Sequence, residues 1–555
     1  MKNKVLLTVL LLSFACTAFS QNRYVIHLTD KNNSPFSVSN PLAYLSQRSI
    51  DRRNHQGISV DITDLPVNPS YVQGISGTGA TVLNKSKWLN TVTVEISNPN
   101  QLTAINALPY VSNVSNIGRH ANGNSNPLHE KFADEKKFIP VQTSATYLRT
   151  SSFNYGQAIG QTQMIGINSL HDQGYSGQGM LIALLDGGFQ DANIMPCFDS
   201  IFANNQVIAT WDFVDNETNV YDNNWHGASV LSTIAANDPG NMVGTAPHAN
   251  FILLRSEDVN SEYIIEEYNY ASAAEYADSA GADVMHSSLG YTQFDDSAQD
   301  HYYEDMNGNT APCTIAADLA AKKGILVTSS AGNEGNSAWN YISAPADGDS
   351  VLAVGAVDQS AQYVSFSSNG PSYDGRVKPD VAAVGGGTFL YMPFQPGVTQ
   401  GNGTSFSGPI MAGAAACLWQ SWPSRSNMEI IQAIKRSANQ YSNPDTLLGY
   451  GIPNFATAYS LLSLGEINVP STEILHIYPN PALEQSSINA IYKSSDTGSA
   501  SIQLMDMAGR LIESTNQYMI IGYNKIAIKT PAAKGIYILR VASENGEVSK
   551  KFIKE

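Results

Sequence analysis

Five short apolar runs separated by helical stretches constrain the fold of this chain more than any other feature. The runs are MLIALLD, NFILLRS, ADVMHSSLG, GILVTSSAGN and SVLAVGAVD, and all lie between residues 165 and 463. Strands that are apolar along their whole length are buried on both faces. The pattern therefore predicts an α/β domain, with a parallel sheet covered by helices on both faces. In such sheets functional residues gather beyond the carboxyl ends of the strands, so the residues that follow these runs are the first candidates for a site.

In the same region, one strand end and two turns carry the residue types that nucleophilic catalysis needs. Asp186 ends the first run, His226 begins HGASVLSTIAA, and Ser405 lies in GTSFSGP. A serine hydroxyl becomes a nucleophile when an imidazole removes its proton, and the imidazole needs a carboxylate on its other nitrogen. Asp, His, Ser is one of the chain orders in which such triads occur.

The reaction also needs donors for the oxyanion, and two are available. Asn333, in LVTSSAGNEG, offers a side-chain amide, and the backbone N–H of Ser405 at a helix start offers a second donor. Taken singly, each of these residues also has an ordinary structural interpretation. Asp186 fits a helix cap or ion pair, His226 a structural histidine, Asn333 a turn residue and Ser405 an N-cap. Their occurrence together, in this order, favours catalysis.

The motifs resemble those of the subtilisin-like serine proteases, the subtilases. The matching segments are LLDGGF, HGASVLSTIAA, GTAPHA, SSLG, SAGNEG and GTSFSGP, spread over roughly residues 165–463. The resemblance implies that Asp186 orients the imidazole and that His226 acts as general base and then as general acid. It makes Ser405 the nucleophile and Asn333 an oxyanion donor.

The resemblance also implies a substrate-binding surface and an activity. Ser288, Leu289 and Gly290 would pair with an extended substrate backbone, and Ala331 and Gly332 would help line the pocket for the residue before the scissile bond. The expected activity is that of a secreted serine endopeptidase, which hydrolyses protein or peptide substrates through an acyl-enzyme. No cofactor is required for that chemistry, and the resemblance allows for structural calcium.

Two departures from the family pattern keep a rival function open. Gly187 follows the aspartate where the family has Ser or Thr, and Ala228 stands where it has Thr. Each loses a hydroxyl that could hold a neighbour in place. The rival is a catalytically weak or inactive surface-displayed binding protein on a subtilase scaffold.

A second rival, an esterase or lipase, is disfavoured by the sequence around the nucleophile. The elbow of those enzymes, G-x-S-x-G, needs glycine two residues after the serine, and Ser407 occupies that position. Pro409 is expected in the first turn of the following helix, where its missing N–H does no harm.

The N-terminal segment predicts export. Residues 1–20 combine Lys2 and Lys4, an apolar run and a small-residue cleavage site, the pattern of a signal peptide. The expected location is therefore secreted or cell-surface, reached through the periplasm. No other hydrophobic run is long enough for a stable membrane span.

The remaining blocks flank the α/β region. Residues 21–120 mix strands and helices, and resemble a protease propeptide that assists folding and blocks the cleft. Residues 121–164 are polar and predict a linker. Residues 470–555, with YPNPA, MDMAGRLI and GIYILRV, resemble the type IX secretion sorting domain of Bacteroidetes and predict a small β-sandwich. The type IX secretion machinery is then an expected partner, and a generic adhesion or carbohydrate-binding sandwich is the alternative.

Charge and cysteine content limit the partners further. The net charge is −17 without a basic stripe, which argues against nucleic acid. Asp212, Asp215 and Asp222 are calcium candidates, although solvated loop acids are the simpler interpretation. Besides Cys16 in the signal, the chain has Cys197, Cys313 and Cys417. An odd number leaves at least one thiol unpaired, Cys417 is expected to be buried, and a Cys197–Cys313 disulfide stays open.

Overall fold

The computed structural model describes most of the chain. The described residues are 22–119, 131–136, 152–463, 473–478, 480, 482, 487–494, 498–519, 522–529, 531–543 and 546–554. The expected signal peptide, with Cys16, and parts of the expected linker and sorting domain lie outside the described residues.

The N-terminal unit is a small α+β fold, as its mixed pattern predicts. Its elements are β1 (Asn22–Leu28), α1 (Gln47–His55), α2 (Pro69–Ser76), β2 (Thr81–Ser86), β3 (Thr91–Ile96), α3 (Pro99–Asn106) and β4 (Val111–Arg119). The strands form one antiparallel sheet in the order β2-β3-β1-β4. An apolar core that includes Ile26, Val94 and Ile105 joins the sheet to its helices.

The central unit alternates strands and helices. Its first half contains α4 (Ile159–Met164), α5 (Asn168–Asp172), β5 (Leu181–Asp186), α6 (Asp199–Ala203), β6 (Val207–Asp212), α7 (His226–Ala235), β7 (Asn237–Asp238), β8 (Met242–Val243), β9 (Asn250–Arg255) and α8 (Ile265–Ala280). Its second half contains β10 (Val284–Ser287), α9 (Pro312–Lys322), β11 (Leu326–Ser330), β12 (Val351–Asp358), β13 (Val381–Gly386), β14 (Thr388–Tyr391), β15 (Val398–Gly401), α10 (Thr404–Ser421), α11 (Asn427–Arg436) and α12 (Phe455–Ser463).

A seven-stranded parallel sheet forms the centre of this unit, in the order β13-β12-β11-β10-β5-β9-β6. Successive side chains of β5 enter two different cores, because side chains alternate across a strand. Ile182 and Leu184 join the core shared with α7 and α10. Leu181, Ala183 and Leu185 join the core shared with α8 and α9. The prediction of a parallel sheet covered on both faces is therefore confirmed.

Helix α10 runs through the interior and is buried from Thr404 to Trp419. Pro409 is the sixth residue of this helix, so its expected place in the first turn is wrong. A proline at this position removes the N–H that would otherwise bond to the carbonyl of Ser405 four residues earlier. That carbonyl accepts the Ser288 hydroxyl instead, at 2.9 Å.

The C-terminal unit is a β-sandwich, as predicted. Its strands are β16 (Glu473–Tyr478), β17 (Ser487–Ser494), β18 (Gly498–Asp506), β19 (Leu511–Met519), β20 (Gly522–Lys529), β21 (Gly535–Ser543) and β22 (Gly546–Lys554). They form two antiparallel sheets, β16-β17-β20 and β19-β18-β21-β22. Ile488 and Ile526 of one sheet share a core with Leu504 and Leu539 of the other.

The three cysteines within the described residues are free and buried, so a Cys197–Cys313 disulfide is absent. The expected burial of Cys417 is confirmed. In the part of the chain that the structure describes, no helix is both long enough and apolar enough to cross a bilayer.

The N-terminal unit binds the central unit through buried charges on α8. Asp278 contacts the guanidinium of Arg52 at 2.6 Å, that of Arg53 at 2.9 Å and the ammonium of Lys87 at 3.1 Å. One turn earlier, Glu275 accepts hydrogen bonds from the backbone of Lys87 and Trp88 and from a serine hydroxyl. Burial alone would raise the pKa of Asp278, but the three cations outweigh it and hold the pKa well below its usual range.

We predict that Asp278→Ala releases the N-terminal unit. Removing the carboxylate takes away the partner that three buried cations share, although Arg53 keeps Asp64 at 2.8 Å, and the loss costs about 3–5 kcal/mol. The measurement is the urea concentration at which amides of α1 lose hydrogen-exchange protection, in a Ser405→Ala chain that lacks the expected nucleophile. The matched control is Glu429→Gln, which removes the charge of a partly exposed ion pair with Arg425 but keeps the side-chain oxygen that accepts from Ser426 at the start of α11. This change should cost roughly 0.5 kcal/mol or less. Equal midpoints for the two variants would contradict the prediction.

Candidate active site

Asp186 and His226 are brought together at the carboxyl edge of the sheet. Asp186 is the last residue of β5, and His226 is the first residue of α7. The imidazole Nδ1 lies 2.7 Å from the carboxylate Oδ1, and both side chains are buried. Gly227 allows this approach, because a Cβ there would collide with the backbone oxygen of Gly188.

The two oxygens of the Asp186 carboxylate differ in their contacts, and the difference is related to Gly187 and Ala228, the two departures from the family pattern. Oδ1 also accepts the backbone N–H of Gly187 at 2.7 Å. Oδ2 is buried and has no hydrogen-bond partner among the described residues. Because Gly187 and Ala228 lack hydroxyls, neither offers a side-chain donor to Oδ2.

Ser405 lies in the first turn of α10, held by hydroxyl groups that follow the neighbouring strands. Ser288, just after β10, donates to the carbonyl of Ser405, and His286 bonds to the Ser288 hydroxyl at 2.8 Å. Ser330, at the end of β11, donates to the carbonyl of Thr404 at 2.8 Å. Burial lowers the pKa of His286 to about 3, so this imidazole is neutral and acts as a structural hydrogen-bonding group.

Asn333 is oriented by Thr404, the residue before Ser405. Its Oδ1 accepts the backbone N–H of Thr404 at 2.8 Å and the Thr404 hydroxyl at 3.0 Å. With the carbonyl side engaged, the amide Nδ2 faces the cleft as a donor.

A carboxylate from a distant part of the sequence occupies the space between these groups. Glu135 Oε2 lies 2.8 Å from Nε2 of His226. Glu135 Oε1 accepts the hydroxyl of Ser405 at 2.9 Å and the amide of Asn333 at 2.8 Å. The carboxylate of Glu135 therefore bridges the Ser405 hydroxyl and the His226 imidazole.

The charge of His226 depends on these two carboxylates. Burial alone would lower the pKa of this imidazole, but Asp186 and Glu135 outweigh it and raise the pKa to about 10. His226 is therefore cationic near neutral pH while Glu135 is in place, and a cationic imidazole cannot accept the proton of Ser405.

Residues 131–136 hold Glu135 in the cleft through further contacts. The ring of Phe132 stacks on the imidazole of His226, with centroids 3.8 Å apart. Lys136 lies over the rings of Trp225 and Phe394, at 5.0 and 5.3 Å. The backbone forms a 3₁₀ turn over Ala133–Lys136, and Phe132 adopts a φ of 67°, in the left-handed region. The segment therefore enters the cleft as a tight turn and not as an extended strand.

The predicted substrate-binding residues line the same cavity, of about 620 Å³, except for one. Ser288, Leu289 and Gly290 follow β10, and Gly332 follows β11; these residues face the cavity together with Asn333 and Ser405. Ala331 differs from the expectation. It is fully buried in a separate apolar cluster with Ile342, Ala346 and Ala353, so it supports the pocket wall from behind.

The calcium candidates do not fit a metal site. Asp212 and Asp215 both contact the guanidinium of Arg255, at 2.6 and 2.5 Å. Asp222 accepts from the side chains of Asn219 and Asn223. A resident arginine already supplies the cation that the first two carboxylates require.

Glu135 and its segment are absent from the sequence-based prediction of the site. The stretch HEKFADEKK is polar and charged, the composition of a solvated linker. A carboxylate that reaches a cleft from far along the chain leaves no local pattern. The expectation of a propeptide-like unit that blocks the cleft is the one signal that could have directed attention to this segment.

Three family models match the chain. Residues 177–451 match the subtilase family, residues 23–133 match the peptidase S8 propeptide domain of Bacteroidota, and residues 476–555 match the secretion system C-terminal sorting domain. The last match indicates export and a cell-surface or secreted location.

Curated relatives agree with these matches. The chain is 32% identical to subtilisin E of Bacillus subtilis over 350 residues, which are 61% of this chain and 81% of the relative. It is 32% identical to a subtilisin of Bacillus pumilus over 296 residues, 52% of this chain and 94% of the relative. Identity of this extent, over most of the length of these enzymes, establishes that the chain belongs to the subtilase family and is a serine-type endopeptidase.

Proposed function

We propose that this chain hydrolyses peptide bonds through Ser405, His226 and Asp186, with Asn333 as oxyanion donor. One observation carries the proposal: a single carboxylate group, that of Glu135, lies within 2.8–2.9 Å of the Ser405 hydroxyl, the His226 Nε2 and the Asn333 amide. A scissile carbonyl needs the same three groups around it. In this structure the Glu135 carboxylate therefore stands in for the reacting carbonyl.

The reaction follows from the directions of these groups. After residues 131–136 leave, Ser405 Oγ attacks the carbonyl carbon while His226 Nε2 takes its proton and Asp186 holds Nδ1. Asn333 Nδ2 donates to the oxyanion, and the Ser405 N–H at the start of α10 is the second donor. His226 then protonates the leaving amine, and a water molecule hydrolyses the acyl-enzyme by the same steps.

We also propose that the N-terminal unit, together with residues 131–136, keeps the enzyme inactive until proteolysis removes it. Two features support this role. Glu135 holds His226 as a cation and accepts the hydroxyl of the nucleophile, and the tight turn around it presents no extended backbone for cleavage. The proposed order of units is a signal at 1–20, the inhibitory unit at 21–120, a connecting stretch at 121–164, the peptidase at 165–463 and the sorting unit at 470–555. The type IX secretion machinery is the proposed partner of the last unit.

An inactive binding protein on the same scaffold is the second candidate. It is favoured by the buried Asp186 Oδ2, which has no partner among the described residues and leaves the carboxylate held on one side only. Labelling of the processed chain by a fluorophosphonate separates the two candidates, because the reagent reacts with an activated serine hydroxyl and not with an inert one.

We predict that Ser405→Ala abolishes casein hydrolysis and fluorophosphonate labelling, with activity falling about 1,000-fold or more because the nucleophile is lost. The control is Ser407→Ala, which removes a neighbouring hydroxyl of the same helix that donates to the carbonyl of Thr404. This variant should retain labelling. Undiminished hydrolysis by the Ser405 variant would exclude it as the nucleophile.

We predict that closure of the cleft weakens as the pH rises. With Glu135 in place the pKa of His226 is about 10, against an ordinary value of about 6.5. Asp186 raises the pKa of His226 in both states, whereas Glu135 raises it further only in the closed state. The stabilisation from Glu135 is therefore complete below the pKa of the open state and is lost as the pH rises through about 10. Glu135→Gln keeps the shape of the side chain but removes the charge.

The measurement uses a Ser405→Ala chain and an added lysine-specific protease, whose cleavage after Lys131 or Lys136 reports opening. At each pH, the cleavage rate of the chain with Ser405→Ala and Glu135→Gln is divided by that of the chain with Ser405→Ala alone. This ratio cancels the pH dependence of the added protease itself. The ratio should be roughly 10 at pH 7, as expected for a buried charged hydrogen bond, and should approach 1 above pH 10. A ratio that does not change with pH would contradict the role of the Glu135–His226 pair.

A further inference from the structure

Three glutamates form an acidic pocket beside the catalytic groups. Glu257 follows the end of β9, Glu262 lies in the connection to α8, and Glu266 is the second residue of α8. Their carboxylate oxygens lie within 4.8 Å of one another. Glu257 and Glu266 are almost completely buried, and the side chain of Glu262 is 27% exposed. Because these residues come from a strand end, a loop and a helix start, the fold itself assembles the pocket.

The pocket already contains one cationic side chain. Lys131 Nζ lies 2.5 Å from Glu257, 2.7 Å from Glu262 and 2.7 Å from Glu266. An ammonium group has three N–H donors, so each donor has one carboxylate to bind. Tyr291 donates to the other oxygen of Glu257 at 2.9 Å and closes the base of the pocket. The shape and the donor count both match a primary ammonium group.

Lys131 belongs to the same segment as Glu135 and leaves with it. Three carboxylates, two of them buried, would then face the cleft without their cation. Burial and the neighbouring carboxylates already raise the pKa of Glu266 well above its usual value, and burial raises that of Glu262 to about 7. Uncompensated buried carboxylates are costly, so the open pocket strongly favours a new cation.

The pocket opens onto the reaction centre. Glu257 and Glu262 line the same cavity of about 620 Å³ as Leu289, Asn333 and Ser405. Lys131 precedes Glu135 by four residues, and four residues span at most about 14 Å. A substrate bound at Ser405 therefore reaches the pocket within a few residues of its scissile bond.

We propose that Glu257, Glu262 and Glu266 form a specificity pocket for a lysine side chain of the protein substrate, two to four residues ahead of the scissile bond. The proposal rests on the proposed function, because it assumes that a substrate occupies the cleft that residues 131–136 vacate. In the unprocessed chain Lys131 occupies the pocket in place of that substrate residue. Arginine carries the same charge, but its planar fork does not match three converging carboxylates as the ammonium does.

The test compares fluorogenic peptides with the processed, active enzyme. Each peptide carries lysine, arginine, norleucine or glutamate at one of the four positions ahead of the cleavage site, with alanine elsewhere. We expect kcat/KM for lysine to exceed that for norleucine roughly 10- to 100-fold at one position, the range for a hydrogen-bonded charged group. Arginine should lie between them, and glutamate should be the poorest.

The variant Glu262→Gln connects this preference to the pocket. Glu262 is the least buried of the three glutamates, so its replacement by an isosteric amide is the mildest change. We expect the lysine-to-norleucine ratio to fall about tenfold. The matched control is Glu304→Gln, an exposed glutamate outside the cleft, for which the ratio should stay at the wild-type value.

Different outcomes overturn different conclusions. If the wild-type enzyme hydrolyses all peptides equally, or if Glu262→Gln keeps the full lysine preference, the pocket proposal is wrong and the protease assignment stands. If activity requires added calcium, is lost in chelator and shows no lysine preference, the pocket binds a metal ion and the proposal is again wrong. If fluorophosphonate labels none of the processed wild-type enzyme, the proposed function itself fails.

Discussion

The geometry of the site depends on helix α10, which must fill the core and present its first turn at the same time. The helix is buried along most of its length between the sheet and the neighbouring helices, so its position cannot adjust to the chemistry at its end. Its first turn is therefore held by hydroxyls from adjacent strand ends. Ser288 and Ser330 donate to the carbonyls of Ser405 and Thr404. Pro409 supports this arrangement, because its missing N–H leaves the carbonyl of Ser405 available to Ser288.

Two sets of buried ion pairs hold residues 131–136 in the cleft, one between Glu135 and His226 and the other between Lys131 and three glutamates. Beside Ser405, Glu135 stabilises a cationic His226, which removes the base that the proposed mechanism needs. At the acidic pocket, Lys131 balances three glutamates that the fold places close together. Only three residues separate Lys131 and Glu135 in the chain, so a single cleavage or opening event exposes both sets. Residues 131–136 thus carry the complementary charge for each part of the cleft that they cover.

Sequence patterns predicted the sheet, the order of the units and the residues at the strand ends, because each depends on local apolar periodicity or on short motifs. Asp186, His226 and Asn333 are candidates of this kind. The structure brings His226, Asn333 and Ser405 around the carboxylate of Glu135, and it places Asp186 on the other nitrogen of His226. The role of Ala331 differed, since its side chain is turned into an apolar cluster behind the cavity. Glu135 and Lys131 were missed, because their partners lie far away in the sequence and their own neighbourhood has the composition of a linker.

The sequence by itself determined the family, the parallel α/β core and the sorting domain, and it predicted the signal peptide and the candidate nucleophile, base and acid. These features are encoded by side chains that are close in sequence or that repeat with a strand or helix period. Only the tertiary structure decided that Asp186 Oδ2 has no partner among the described residues, that a carboxylate lies between Ser405 and His226, and that three glutamates share one lysine. Those properties arise from contacts between distant segments in a low-dielectric interior, where a single buried charge outweighs any local sequence preference.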